Sequence, residues 1–233
     1  MSTPLLDVRG LGKTYDSGAA AVQAVRDVSF TANAGDFVAI VGPSGSGKTT
    51  LLAMIGGLLA PTTGSILVGG RDIARMSSRE LARYRRDSVG YVFQANNLLP
   101  YLTGRENLMV IASIRRGDRR AASARADRLL GELGVVGRAG AVATELSGGE
   151  RQRIAIGRAL MNDPLFVLVD EPTASLDSVR GRQVVELLMT EVKSRDKLGI
   201  MVTHDLAMAQ LADRVFELHD GELVRDSRPA VLG

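Results

Sequence analysis

The sequence predicts an α/β protein whose core is a mostly parallel, doubly wound sheet. Short apolar runs alternate with amphipathic helical segments through most of the chain, and this alternation is typical of such sheets. Residues 96–142 shift to helical periodicity. We therefore expect one domain over residues 1–233, with a small antiparallel β lobe and the α/β core in residues 1–95 and 143–233 and a helical subdomain in 96–142.

The N-terminal part is expected to form strands. Residues 5–9, 24–31 and 37–41 are short apolar runs divided by Gly, Asn and Asp, which favour turns. Tyr15 lies in the first connection, where no strand periodicity surrounds it. Ordinary packing and stacking on a base both account for such an aromatic residue, and other motifs must distinguish them.

A glycine-rich octapeptide follows the third run and precedes a helix-like segment. It fits the phosphate-loop pattern G-x-x-x-x-G-K-[ST] and consists of Gly42, Pro43, Ser44, Gly45, Ser46, Gly47, Lys48 and Thr49, with Thr50 next. Glycines let backbone N–H groups surround a phosphate, and the helix N-terminus attracts the anion. Lys48 is then placed for the β- and γ-phosphates, and the Thr49 hydroxyl for Mg²⁺. A plain turn with a solvated lysine is the alternative, which the flanking strand and helix disfavour.

Strands and helices continue to alternate beyond the loop. We expect strands over residues 65–68 and 88–93 with a helix over 79–86 between them, and a capping box from Thr103 to Glu106. The C-terminal part is expected to contain a strand over 165–169, a helix over 178–193, a strand over 199–202 and a hairpin of 214–218 with 222–225.

Another helix is expected to begin at the segment Ser147, Gly148, Gly149 and Glu150. Ser147 and Glu150 fit a capping box, which is sufficient to explain the helix start. It does not explain two glycines in the first turn, because glycine is unfavourable in helices. Close approach of an anion to the helix N-terminus explains the pair better.

The apolar strand over residues 165–169 ends in two adjacent carboxylates, Asp170 and Glu171. Ligands of parallel sheets bind at the carboxyl ends of the strands. The pair is therefore a candidate for metal and water chemistry.

Composition narrows the class of protein. The 233 residues include 45% hydrophobic and 24% charged residues, no cysteine, and a net charge of +3. We expect a globular protein without disulfides and without a nucleic-acid partner. No signal peptide is expected at the N-terminus, and the longest apolar stretch, residues 51–60, is too short to span a bilayer. Arginines cluster in residues 83–86 and 115–128, where a solvated helix face and an acidic-partner or membrane-surface patch both account for them.

Together these residues resemble the nucleotide-binding subunit of ATP-binding cassette (ABC) transporters, a P-loop NTPase family, over essentially the whole chain. The motifs stand in the family's order: Tyr15 as the A-loop aromatic, residues 42–49 as Walker A, Gln94 as the Q-loop, residues 146–150 as the signature, residues 166–171 as Walker B with its following glutamate, Ser175, Leu176 and Asp177 as the D-loop, and His204 as the H-loop. The signature ends in Glu150, where many members have glutamine.

The resemblance implies a site for ATP and Mg²⁺. In such a site the adenine stacks on Tyr15, while Lys48 and the backbone N–H groups of residues 44–50 hold the phosphates. Thr49 and Gln94 bind the metal directly and Asp170 binds it through water. Glu171 is the implied general base, and His204 the ligand of the γ-phosphate.

The resemblance also implies a head-to-tail homodimer. The signature of one subunit, Ser147, Gly148, Gly149 and Glu150, together with Asp177 of the D-loop, closes over ATP bound to Lys48 of the other. Closure with ATP and release after hydrolysis then transmit force to a partner.

The implied partner is an integral-membrane permease on a separate chain, which holds this subunit at the cytoplasmic face of the cell membrane. The segment from Phe93 to Asn107 is similar to the branch that serves macrolide export, lipoprotein release and cell-division permeases. Apolar side chains in residues 94–103 fit permease docking and local core equally. A cell-division ATPase that transmits a signal without moving a substrate is the alternative. ABC ATPases of DNA repair or translation are disfavoured, because this chain has neither a long coiled-coil insertion nor tandem cassettes.

Overall fold

Two sheets and seven helices organise the described part of the chain, which in a computed structural model comprises residues 3–16, 21–94, 96–115, 117–174 and 176–229. The strands are β1 (Leu6–Asp16), β2 (Ala21–Ala32), β3 (Phe37–Val41), β4 (Thr63–Val68), β5 (Arg71–Asp72), β6 (Val89–Val92), β7 (Phe166–Asp170), β8 (Leu198–Val202), β9 (Arg214–His219) and β10 (Glu222–Ser227). The helices are α1 (Lys48–Ile55), α2 (Ser78–Ser88), α3 (Gly104–Arg115), α4 (Arg119–Glu132), α5 (Gly148–Leu160), α6 (Ser178–Lys193) and α7 (Leu206–Ala209).

The larger sheet has six strands in the order β10-β9-β3-β8-β7-β6. All neighbours are parallel except β10, which pairs antiparallel with β9 at one edge. Ile40 of β3 and Asp170 of β7 both pair with Val202 of β8, from its two sides. The carboxyl ends of these three strands are therefore level, and the predicted α/β fold class is confirmed.

The smaller sheet is antiparallel, in the order β2-β1-β4-β5. The prediction that Tyr15 lies in a connection is wrong: β1 extends to Asp16, and Tyr15 pairs with Val22 of β2. Register shifts interrupt the β1–β2 pairing, and irregular pairing of this kind disrupts the alternation by which a strand is identified in sequence. The antiparallel lobe expected from the sequence is present.

The core lies on both faces of the larger sheet. Successive residues of a strand point to opposite faces, and Val38 and Ile40 accordingly join one buried cluster while Ala39 and Val41 join the other. The first cluster includes α1 and the antiparallel sheet. The second runs without interruption into α3 and α4, where Leu108 is fully buried. The helical segment therefore packs directly on the core, and its division as a subdomain of residues 96–142 stays a prediction.

Capping residues explain where the longer helices begin. Thr103 and Glu106 exchange backbone and side-chain hydrogen bonds ahead of α3, and the predicted capping box there is confirmed. Asp177 caps α6 by accepting from the Arg180 N–H. None of the helices in the described ranges combines the length and hydropathy that a membrane span needs.

Several of the clustered arginines are bound within the fold. Arg85 donates to the Gly57 carbonyl, and Arg125 to the Leu160 carbonyl. Arg86 pairs with Asp87. These three side chains join neighbouring elements or their own helix, whereas Arg116 lies outside the described residues.

Candidate functional site

Four neighbouring parallel strands, β3, β8, β7 and β6, each lead into a segment with predicted site residues. The glycine-rich loop follows β3, and His204 follows β8. Asp170 ends β7, and Gln94 lies two residues beyond β6. The topology therefore gathers motifs that are distant in sequence at one edge of the sheet, where ligands of α/β proteins bind.

The glycine-rich loop has a backbone that only glycine adopts without strain. Gly45 and Gly47 have φ values of +81° and +97°. A Cβ at Gly42 would lie 2.0 Å from the Leu218 carbonyl oxygen, and one at Gly47 would lie 2.2 Å from the Ala24 carbonyl oxygen. The loop is therefore pressed against the antiparallel lobe and the β9–β10 hairpin. Gly47 caps α1 without a side-chain hydrogen bond, so the helix N-terminus presents backbone N–H groups to an anion.

Lys48 is nearly buried in this loop, with 9% of its surface exposed. Its Nζ donates to the carbonyls of Gly42 and Pro43, at 2.9 and 2.8 Å. These bonds hold a positive charge across the loop. Because the same loop presents helix N–H groups, charge and hydrogen-bond donors converge as phosphate binding requires.

Asp170 and Thr49 meet across the gap between β7 and α1. The Thr49 hydroxyl donates to Asp170 Oδ1 at 3.4 Å. Burial, together with the neighbouring charge of Glu171, raises the pKa of the Asp170 carboxyl, while the Thr49 hydrogen bond and Lys48 act in the opposite direction. A half-buried carboxylate without full compensation is a good ligand for a cation.

Glu171 is held in a strained conformation next to His204. Its φ is +47°, in the left-handed region that costs a non-glycine residue energy. Its N–H donates to the Val202 carbonyl at 2.9 Å, which ties it to β8. Its Oε2 lies 2.9 Å from His204 Nδ1. When the carboxylate is ionised it only accepts hydrogen bonds, and Nδ1 is then the donor in this pair.

The Glu171 and His204 side chains differ in access to solvent. Glu171 is 16% exposed and His204 is 70% exposed. The carboxylate is therefore partly shielded, while the imidazole lies at the surface. Thr203, which sequence reasoning missed, is fully buried beside them, and its hydroxyl accepts from the Asp205 N–H.

The predicted signature residues form a tight helix cap. Glu150 Oε2 accepts from the Ser147 N–H at 2.7 Å, and the Glu150 N–H donates to Ser147 Oγ. Arg138 lies 3.3 Å from the other oxygen of Glu150. The polar contacts of this cap remain in the helical region and do not join the glycine-rich loop. A Cβ at Gly149 would meet open space within the described part of the chain.

Three other predicted site residues lie near the surface. Gln94 is exposed at the turn that follows β6. Tyr15 is 42% exposed, and the Lys13 ammonium lies 5.3 Å from its ring centroid. Asp177 caps α6, and Ser175 of the same motif lies outside the described residues.

Two arginines were missed by sequence reasoning. Arg158 of α5 donates to the Asn96 and Asn97 carbonyls beyond β6, and Arg138 contacts Glu150. The signal for Arg158 was an arginine within an otherwise apolar stretch of α5.

A large cavity lies away from this site, at the opposite ends of the strands. It has a volume of about 910 Å³ and is lined by α6, α7 and the start of β9. Three of its four basic side chains, Arg182, Lys193 and Arg214, pair with Glu186, Asp213 and Asp226. The predicted site residues that the structure describes do not line this cavity, so the candidate site remains at the carboxyl edge.

The class of protein follows from this edge: a glycine-rich loop with a buried lysine, facing an acidic strand end and a histidine, defines a P-loop nucleotide hydrolase. Residues 25–174 match the family model described as ABC transporter. The chain therefore belongs to the ABC transporter family, as an ATP-binding cassette that hydrolyses ATP.

Similar proteins cover nearly the whole chain. It is 41% identical over 220 residues to the putative hemin import ATP-binding protein HrtA of Staphylococcus haemolyticus (strain JCSC1435), covering 94% of this chain and 98% of that protein. It is 44% identical over 231 residues to the macrolide export ATP-binding/permease protein MacB of Rhodospirillum rubrum, covering 99% of this chain but 35% of that protein. The expected branch is confirmed by the MacB relative.

A solved structure has the same fold. The dimeric structure of the ATP-binding cassette MJ0796 in a post-hydrolysis state, bound to ADP and Pi, superposes with a TM-score of 0.87 at 36% identity. The match covers 96% of this chain and 98% of that one.

Proposed function

We propose that this chain is the ATP-driven motor of an export-type transporter and that it acts on a membrane permease from the cytoplasmic face. The carrying observation is the Glu171 carboxylate, partly shielded and 2.9 Å from His204, at the sheet edge that also holds the glycine-rich loop. The loop and Lys48 hold the triphosphate, and the adenine stacks on Tyr15.

The residues present fit Mg²⁺ as the metal partner of ATP. In the described ranges no group of three or more His, Asp or Glu residues forms a protein-only metal cage. Mg²⁺ needs no such cage, because it usually takes one or two carboxylates with substrate phosphates and water. Thr49 and Gln94 would bind it directly and Asp170 through water. When bound, it neutralises charge that develops on the phosphates.

Glu171 is proposed as the general base of hydrolysis. Its carboxylate takes a proton from water as the water oxygen bonds to the γ-phosphorus and the bond to the bridging oxygen breaks, giving ADP and phosphate. His204 Nδ1 lies 2.9 Å from Glu171, and Nε2 donates to the γ-phosphate when both ring nitrogens carry a proton. The left-handed backbone at Glu171 and its bond to Val202 keep the base in place, so catalysis is mainly by positioning.

The proposed active unit is a head-to-tail homodimer. The Ser147 cap and the glycines behind it present a helix N-terminus whose polar contacts do not reach the chain's own loop, and such a terminus suits an anion held by another subunit. Asp177, which caps α6, is proposed to contact the ATP of the other subunit together with this terminus. Two copies related by a twofold axis then complete two sites. The dimeric solved relative supports the formation of a dimer.

The proposed permease partner rests on the relatives. MacB combines an ATP-binding and a permease part by name, while HrtA is named as an ATP-binding protein only, and this chain covers 98% of it. We propose export because of the MacB match and the similarity of residues 93–107 to that branch. The exposed residues Leu99 and Tyr101 are proposed to contact the permease.

The Glu171→Gln variant tests the assigned base. The amide keeps the shape but does not accept the proton, so ATP hydrolysis is expected to fall by about 10²–10⁴-fold while ATP binding is retained. The variant is also expected to elute as a dimer with ATP on a sizing column. Glu222→Gln, which removes an equal charge from the exposed strand β10, is the matched control and should hydrolyse normally. Rapid turnover by Glu171→Gln would exclude Glu171 as the base.

Mixing two inactive variants tests the shared site. Lys48→Ala removes the phosphate lysine of one chain and Ser147→Arg blocks the signature of the other. In a head-to-tail dimer, the mixed dimer has one site in which both residues are intact. If the sites act independently, an equal mixture is expected to recover about a quarter of the wild-type rate. A site built within one chain predicts no recovery, which would refute the head-to-tail proposal.

A further inference from the structure

Arg158 makes an unusual set of contacts for a guanidinium. It lies two residues before the end of α5 and is half-buried. Its Nη1 and Nη2 donate to the backbone carbonyls of Asn97 and Asn96, at 2.5 and 2.6 Å. Burial lowers the pKa of Arg158, and the carboxylates of the described residues form no ion pair with it. The guanidinium is therefore partly removed from water, and its described partners are two backbone carbonyl groups.

The two carbonyls belong to a strained segment. Asn96 and Asn97 have φ values of +58° and +45°, both left-handed. Asparagine tolerates this conformation better than most residues, but two in succession are uncommon. The Asn96 N–H donates to the Phe93 carbonyl at 2.9 Å and closes a turn whose second residue is Gln94. The turn that places Gln94 is therefore adjacent to the carbonyls that Arg158 holds.

The helix that carries Arg158 also carries the signature cap. Ser147 precedes its first residue, and the axial distance to Arg158 is about 16 Å at 1.5 Å per residue. The intervening face is buried, with Ile154 and Ala155 fully inaccessible. A buried, regular helix moves as a rigid element, so a displacement of the cap also displaces the guanidinium.

We propose that Arg158 is a positioning residue that fixes the turn containing Gln94 and couples its geometry to the signature helix. The inference rests on the proposed function, in which Gln94 binds Mg²⁺ and the signature contacts the partner's ATP. The planar fork of arginine suits two adjacent acceptors. Arg158 is not among the residues proposed to hold ATP or the metal, and it acts through the backbone of residues 96 and 97.

The test compares Arg158→Gln with Arg125→Gln. Arg125 is the matched control, because it also donates from Nη2 to a backbone carbonyl, that of Leu160, at 2.9 Å, but does not contact the Gln94 turn. Hydrogen exchange of residues 93–97 is measured without nucleotide. It is expected to accelerate in Arg158→Gln and to stay at the wild-type rate in Arg125→Gln.

The second readout is the Mg²⁺ concentration that gives half-maximal ATP hydrolysis. Loss of a residue that positions a metal ligand is expected to raise it by about tenfold in Arg158→Gln, with ATP binding measured in EDTA unchanged. Arg158→Lys keeps the positive charge but lacks the planar fork, so its half-maximal Mg²⁺ concentration is expected to lie between those of the wild type and Arg158→Gln. If Arg158→Gln does not fold, the same comparison is made with Arg158→Lys.

The Gln94→Ala variant tests the metal role of Gln94 separately from the positioning role of Arg158. If Gln94→Ala raises the Mg²⁺ requirement and Arg158→Gln does not, the positioning role is overturned and the proposed function stands. If Gln94→Ala leaves the requirement unchanged, the metal role of Gln94 fails and the inference fails with it. Unchanged hydrogen exchange in Arg158→Gln overturns the inference whatever the Mg²⁺ result.

Discussion

Replacing Gly47 by alanine tests whether the phosphate loop is shaped by its contact with the antiparallel lobe. A Cβ at Gly47 meets the Ala24 carbonyl oxygen at 2.2 Å, and this oxygen belongs to the backbone of a paired strand. Gly45 has a similar left-handed φ but open space around its Cβ in the described structure. Gly45→Ala is therefore a control that shares the conformational cost and lacks the contact.

The expected magnitudes follow from these two differences. A left-handed backbone costs a residue with a Cβ about 1–2 kcal/mol, which is the loss expected for Gly45→Ala. Overpacking adds about 1–3 kcal/mol, so Gly47→Ala is expected to lose about 2 kcal/mol more than the control. With a urea m-value of about 3 kcal/mol/M, the unfolding midpoints of the two variants differ by about 0.7 M.

The measurement is urea unfolding followed by circular dichroism, without nucleotide so that phosphate binding does not contribute. Both variants are expected to unfold at lower urea than the wild type, with Gly47→Ala the lower of the two. Equal midpoints for Gly45→Ala and Gly47→Ala would refute the reasoning, because the Ala24 contact would then have no energetic weight.

Three other changes have outcomes that the structure fixes. Asn107 is fully buried and bonds the backbone of the loop from Leu99 to Thr103, so Asn107→Leu is expected to lose about 3 kcal/mol in thermal unfolding and to speed hydrogen exchange in that loop. Burial raises the pKa of Asp170, so the charged form of this carboxyl is disfavoured in the folded protein. At pH 7 the Asp170→Asn variant is therefore expected to melt at a higher temperature than the nucleotide-free wild type, and this gain should vanish as the pH falls through the raised pKa. A lower melting temperature of the variant at every pH would contradict this. The hydrogen bond from the Ser147 N–H lowers the pKa of Glu150. The stability that Glu150 contributes is therefore present above its ordinary pKa and is lost when the pH falls through the lowered pKa. Glu150→Gln keeps the cap, and its melting temperature is expected to lack this loss on acidification from pH 7 to 3.

The elements with strong local signals were predictable from sequence. The helix over residues 178–193 has the predicted bounds, because an aspartate cap and a clear apolar period define it. The buried strand ending at Asp170 was equally clear, since a continuous apolar run ending in two carboxylates has few other interpretations. The phosphate loop was predictable because its glycines are required by backbone geometry.

Features that depend on tertiary contact were not predictable. Tyr15 was assigned to a connection because β1 pairs irregularly with β2, and register shifts leave no period to detect. The contact of Arg158 with residues 96 and 97 joins segments about sixty positions apart, and no local pattern encodes it. The contact of Glu171 with His204 depends on β7 and β8 being neighbours in the sheet, and the sequence alone does not determine this strand order.

The contacts that shape the phosphate loop come late in the chain. The Gly221 N–H donates to the Ser46 carbonyl, and the Gly221 carbonyl accepts from the Arg26 N–H, so the β9–β10 hairpin, which follows all the phosphate-binding residues in sequence, touches both the loop and the first strands. Contacts between distant segments form slowly in folding. A ribosome-bound chain that ends before this hairpin therefore has every phosphate-binding residue but not the surface that supports them, and we expect nascent chains to acquire ATP affinity only after residues 214–227 have left the ribosome.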